Sequence, residues 1–161
     1  MESAGGCAVF PNNVYVVLKS NRGCNGFHPG GDHTNRDPNK GYYLMFDPSE
    51  AMEVPGTYIY EYQLGKVCVG VELRFSIWVA SVSYDGNCKI DLAVVDGNQP
   101  DREFARVTGD FSNDLPDEDS DVLNWKEVEL VFVNDANSDF NGDKLAFRVT
   151  MPYSEFNAYE T

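Results

Sequence analysis

The sequence predicts an all-β protein, an antiparallel jelly-roll β-sandwich of about eight strands that takes residues 1–161 as a single domain. Two observations carry this. Apolar and polar residues alternate with a period of two nearly everywhere. The alternating runs are rich in Val, Ile, Tyr, Phe and Thr and are bounded by Gly, Pro, Asn and Asp, the signature of strands separated by turns. No segment carries an apolar stripe of period 3.6 over three helical turns. The nearest, Pro48 to Val54, has room for one turn of helix at most.

Eight runs qualify as strands: Val14 to Ser20, Gly41 to Phe46, Thr57 to Leu64, Glu72 to Val82, Lys89 to Val95, Phe104 to Phe111, Lys126 to Val133 and Lys144 to Met151. Asp85-Gly86, Asp96-Gly97 and Asn141-Gly142 are turn dipeptides. This number of strands with turn signals between them fits a sandwich or jelly roll. The alternation also assigns faces. In the fourth run Leu73, Phe75, Ile77 and Val79 point one way, and Arg74, Ser76, Trp78 and Ala80 the other. In the seventh Val128, Leu130 and Phe132 oppose Glu127, Glu129 and Val131. In the last Leu145, Phe147, Val149 and Met151 face inward, with Arg148 and Thr150 outward. The acidic stretch from Asn113 to Asn124 reads as a loop, and no internal repeat or linker is evident.

Composition limits the function. Hydrophobic residues make up 42% and aromatics 13%, which suits a packed core rather than a disordered chain. No apolar run approaches the roughly 20 residues that cross a bilayer. The first ten residues, MESAGGCAVF, lack the pattern of a signal peptide. The expectation is therefore a protein that stays inside, or a mature or excised piece with an initiator Met. A net charge of −14, from 26 acids and 12 bases, repels phosphate backbones and anionic membranes. The same acidity serves solubility, and it also suits calcium, which binds carboxylate and carbonyl oxygens.

Four cysteines, Cys7, Cys24, Cys68 and Cys88, form no CxxC pair, and His28 and His33 are the only histidines. Zinc ligands would have to come from scattered places. An even count allows three disulfide pairings. The local one, Cys7 with Cys24 and Cys68 with Cys88, closes short loops and is preferred, which implies an oxidising compartment.

Enzyme motifs are missing: there is no Gly-x-Ser-x-Gly elbow, no phosphate-binding glycine loop and no HExxH helix. Paired carboxylates abound, but 26 acids supply them by chance. Neither histidine has the residues around it that would complete a triad. Among the acidic loops, Asn134 to Asp143 places Asp135, Asn137 and Asp139 at alternate positions as an EF-hand does. Phe140 then stands where glycine belongs and Ala146 where glutamate belongs, so a hairpin loop is the better reading. The run Asp114 to Asp121 reads as a solvated loop.

The segment GGDHTNRDPNKGYYLMFD, Gly30 to Asp47, offers more. Asp32, Asn35, Asp37 and Asn39 place four oxygen-bearing side chains within eight residues, and Gly30, Gly31 and Gly41 let carbonyls turn inward. That mixture suits a hard cation. A long loop held by Asx turns explains it equally well. The aromatic residues form a second feature. Tyr58, Tyr60 and Tyr62 share one face of a strand, and Trp78 lies beside Arg74 and Ser76 on the face opposite Phe75 and Ile77. Sugars stack on such rings while their hydroxyls meet polar groups. The competing reading makes these aromatics core.

The Asp32-His33-Thr34 loop leading into GYYLMFD resembles MAM domains and related bacterial jelly-roll modules. PGTYIYEYQLGKVCVGVELRFSIWVASV resembles the next part of those modules, and TGDF followed by NWKEVELVFV resembles the penultimate strand opened by a Trp. Together these span roughly Asp32 to Val133. The resemblance implies a galactose-binding-like jelly roll from multi-domain surface or secreted proteins. Such a module is non-catalytic, binds glycan or a surface partner in adhesion, and often carries a structural calcium. By position it makes Asp32 a cation ligand, with Thr34 and its neighbours supplying backbone oxygens and Asp37 close by. It also supports a disulfide between Cys68 and Cys88. Leu73 stands where the pattern has an aromatic. MPYSEFNAYET lacks the paired closing aspartates, and Glu155 is the substitute ligand. The expectation is an extracellular or cell-surface glycan-binding module, with Trp78, Arg74 and the Tyr58/Tyr60/Tyr62 row at its site. The alternatives are a spacer domain without a small ligand and a glycan-active enzyme.

Overall fold

The computed structural model describes residues 15–18, 30–34, 41–46, 58–82, 89–99, 101–111, 122–135 and 144–151. Eight strands lie in them: β1 (Tyr15–Leu18), β2 (Tyr43–Phe46), β3 (Tyr60–Gly65), β4 (Glu72–Val79), β5 (Lys89–Asp96), β6 (Glu103–Asp110), β7 (Lys126–Val133) and β8 (Leu145–Thr150). Each falls within or beside one of the expected runs, and the described residues contain no helix. Pro48 to Val54, Asp85-Gly86 and Asn141-Gly142 lie outside the described residues. The chain gathers into two compact units, residues 1–51, 78–88 and 111–126 in the first, and 52–77, 89–110 and 127–161 in the second.

The second unit holds a four-stranded sheet in the order β3-β8-β5-β6 and a ladder of β4 with β7. The pairing is nested: β5 pairs with β6, β4 with β7, and β3 with β8, so each ladder encloses the previous one in sequence. The ladders β3–β8, β5–β6 and β5–β8 are antiparallel. For β4 and β7, reciprocal backbone bonds join the start of one to the end of the other, Gly70 N to Asn134 O at 2.6 Å and Asn134 N to Val71 O at 3.1 Å. Asn134 is itself buried, and its Nδ2 donates to the Val67 carbonyl at 2.9 Å. One amide side chain thus ties down the β3–β4 turn.

The alternation in the sequence becomes packing. Leu73, Phe75 and Ile77 are half-buried while Glu72, Arg74 and Ser76 are exposed. Val128, Leu130 and Phe132 are buried and Glu127, Glu129 and Val131 exposed. Phe75 stacks on Phe147 with ring centroids 4.6 Å apart, and Phe104 meets Phe132 at 6.1 Å. These two contacts join β4 and β7 to the four-stranded sheet through their apolar faces. In the last strand Leu145, Phe147 and Val149 are buried as expected; Met151 is half-buried, beyond the end of the ladder.

β5 departs from one-sided burial: every residue from Ile90 to Asp96 is buried. Its inner position in the sheet, between β8 and β6, brings apolar neighbours to one face and Ala93, Val95 and Ala146 together on the other. Two carboxylates are buried with it. Asp96 closes the predicted Asp96-Gly97 turn by accepting from Asn98 N at 2.8 Å and Gln99 N at 3.3 Å. Asp91 accepts from Thr108 Oγ1 and pairs with Arg106. The same guanidinium grips Glu103, which is possible because the ladder slips between Val94 and Val95. Pairing then runs Ala93 with Arg106 and Val95 with Glu103, and the extra residue of a bulge brings two side chains of opposite parity to one face.

A carboxylate buried this deeply depends on its partner. Arg106→Met is expected to destabilise the protein by about 3 kcal/mol in urea denaturation, because it strands the Asp91 charge. Glu103→Ala, at the exposed end of the same cluster, is expected to cost under about 1 kcal/mol. Adding Asp91→Ala to Arg106→Met should recover part of the loss.

Candidate functional site

The first unit contains the loop from Gly30 to Thr34 and the strand β2 that follows it. In β2, Tyr43 and Met45 are buried while Leu44 is exposed, as alternation requires. The loop is fastened at successive residues. Gly30 is buried against Leu123; a Cβ there would lie 2.3 Å from Leu123 Cγ, so any larger residue displaces that buried side chain. The Gly31 carbonyl accepts from the Trp125 indole N–H at 3.2 Å. Asp32 Oδ2 accepts from Thr34 N at 3.1 Å, which makes an Asx turn. The same carboxylate lies against Gly41, where a Cβ would stand 2.3 Å from Oδ2 and where φ is +77°. Glycine at 41 is therefore needed for both its backbone and its missing side chain.

These fastenings present His33. Its imidazole stacks on the Trp78 indole, with centroids 3.8 Å apart and planes at 18°. Trp125 meets the imidazole by its edge at 6.1 Å, and Tyr43 meets Trp125 likewise at 6.0 Å. The series from Tyr43 through Trp125 and His33 to Trp78 runs from buried to exposed, and Trp78 keeps 45% of its surface in water. Leaving about 100 Å² of indole exposed forgoes roughly 2 kcal/mol of burial.

The residues expected to hold sugar divide between the units. Trp78 belongs to the first, and Arg74, Tyr58, Tyr60 and Tyr62 to the second. Arg74 is engaged by Glu72 at 2.9 Å and Glu129 at 3.3 Å. Those carboxylates, Glu72 first, raise its pKa above the ordinary arginine value. Tyr58 carries the Arg148 guanidinium 5.0 Å above its ring, and Arg148 is also paired with Glu61 at 2.6 Å. Tyr60 and Tyr62 stand exposed on β3, so the row is surface rather than core.

For the expected cation, the described donors are Asp32 and Thr34, and Asp32 serves the Asx turn. Among the described residues no group of three or more His, Cys, Asp or Glu side chains gathers as a metal site. Asp37 and Glu155 lie outside the described residues. So do Cys7, Cys24 and Cys88. Cys68 is exposed with a free thiol, and the other half of its expected bridge, Cys88, is among the residues not described. The turn at Cys68 leaves its sulfur at the surface.

The chain matches no family of known proteins, no curated relative and no solved structure. The likeness to MAM-type modules therefore rests on its short motifs.

Three residues of this cluster, Tyr43, His33 and Trp125, have no site role in the sequence reading. His33 enters it as a histidine without a triad or a zinc set and as part of the Asp32-His33-Thr34 motif, Tyr43 as part of a strand, and Trp125 as the opening of one. Their signal is faint: an aromatic beside each end of a glycine-bounded loop becomes a cluster only after folding.

Four measurements follow from this geometry. Gly41→Ala is expected to lose about 2 kcal/mol in thermal or urea unfolding, from the positive φ and the collision with Asp32. Asp32→Ala should lose about 1 kcal/mol, while Asp32→Asn, whose amide oxygen accepts the same bond, stays near wild type. A calcium chelator separates two roles for Asp32: a fall in the wild-type melting temperature that is absent from Asp32→Ala assigns it the cation, and unchanged melts in both leave it the Asx turn. Cys68 should be alkylated by maleimide in the native protein, read by intact mass and peptide mapping.

Proposed function

We propose that this protein is a non-catalytic binding module of jelly-roll fold, exported to the cell surface or beyond, that recognises glycan. The nested ladders β5–β6, β4–β7 and β3–β8 support the fold, because a jelly roll is a set of hairpins wound inside one another. The resemblance of the Asp32-to-Val133 motifs supports the setting. One observation carries the function. Trp78 is nearly half exposed with an imidazole stacked on one face, while Leu73, Phe75 and Ile77, earlier in the same strand, are half-buried. A rigid, partly exposed aromatic is a surface prepared for a ligand that has both an apolar face and hydroxyls.

A spacer domain with no small ligand is the second reading. The cross-strand pair Val17 and Leu44, exposed beside Tyr42, favours it by offering an apolar surface suited to protein.

A glycan array with the purified chain tests the proposal. Wild type is expected to retain a consistent set of glycans, and Trp78→Ala is expected to lose them while keeping its melting temperature within a few degrees. A silent array, with Trp78→Ala harmless in a cell-adhesion assay, would select the spacer.

A further inference from the structure

We propose that the His33–Trp78 pair is a one-sided site for an uncharged pyranose and discriminates against anionic and cationic ligands. The inference rests on the binding-module reading and narrows the chemistry of its ligand.

Geometry gives the first argument. The imidazole covers one face of the indole at 3.8 Å, yet Trp78 remains 45% exposed. With one face taken by the imidazole, the indole has at most one face left for a ligand, a platform rather than a slot between two rings. Such a platform accepts the flat C–H face of a sugar. A cage for a quaternary ammonium needs several aromatic faces turned toward one point. Here Trp125 approaches His33 edge-on, at 68° between planes, and Tyr43 approaches Trp125 edge-on, at 75°. Neither ring adds a second face to Trp78.

The polar atoms give the second argument. Among the described residues, the Trp78 N–H and the His33 nitrogens meet no hydrogen-bond partner; their contacts are the ring contacts above. An imidazole and an indole each offer an N–H donor, and the second imidazole nitrogen accepts or donates with its protonation. Hydroxyls, which both donate and accept, satisfy that mixture. A cation cannot accept from the N–H groups. A carboxylate or sulfate meets a chain of net charge −14 and, next to His33 in the loop, the Asp32 carboxylate. A neutral sugar, with hydroxyls that both donate and accept, meets this set of polar atoms.

The two tryptophans make the test direct, because the chain yields two indole N–H signals in a proton–nitrogen correlation spectrum. Trp78→Phe, which keeps a ring against His33, assigns them. The full chain is titrated with methyl glycosides of glucose, galactose, mannose and N-acetylglucosamine, with methyl glucuronide and a methyl sialoside, and with choline. At least one neutral glycoside is expected to shift the Trp78 signal saturably, with a Kd on the order of 1 mM, and the charged probes to leave it still. His33→Ala is expected to bind about tenfold more weakly with its thermal midpoint retained. A charged probe that saturates the Trp78 signal below the neutral sugars overturns the ligand class and leaves the binding module standing. An unmoved Trp78 signal beside a positive glycan array overturns the placement of the site. Silence in both experiments removes the binding-module reading itself.

Discussion

β5 has water on neither face, and much of the second unit follows from that burial. A strand in this position must have every backbone group paired, which its neighbours β8 and β6 accomplish. It must also have a partner for each polar side chain. Asp96 turns this demand into a tight turn, and Asp91 turns it into a link with β6 through Arg106 and Thr108. The bulge at the far end of the β5–β6 ladder belongs to the same solution, since without it Glu103 and Arg106 would lie on opposite faces. A buried charge rarely adds net stability compared with an apolar replacement, but it penalises every register that would separate it from its partner.

The first unit meets a different constraint, that of holding a large aromatic ring in water without letting it fold back. Stacking His33 on Trp78 serves this end, and the stack depends on a loop whose backbone is fixed at Gly30, Gly31 and Asp32. The glycines matter because side chains at 30 or 41 would occupy space that Leu123 and Asp32 already fill. The loop that suggested a cation site on composition thus has a mechanical role visible in the described residues. It carries an imidazole to an indole. Loop and tryptophan, read separately in the sequence, meet in one aromatic cluster.

Legibility in the sequence followed the range of the interactions. The strand runs were legible because a period of two is a local property, and all eight reappear within a few residues of their expected bounds. The outward direction of Trp78 was legible for the same reason, as were the core faces of β4 and β7. His33 against Trp78 was not, because 45 positions separate them and no short-range pattern pairs them. The engagement of Arg74 by Glu129 was likewise hidden, since it spans two strands far apart in the chain.

The sequence by itself determined that the chain is all-β, where its strands lie, which residues of β4, β7 and β8 turn toward the core, and that its net charge is strongly negative. Those properties depend on alternation, turn residues and net charge, which are additive along the chain. Tertiary structure alone decided which strands pair, why Asp91 can be buried, and that an imidazole backs the exposed indole. Each of these depends on residues distant in sequence meeting at a few ångströms, and packing, unlike periodicity, is not written in any one segment.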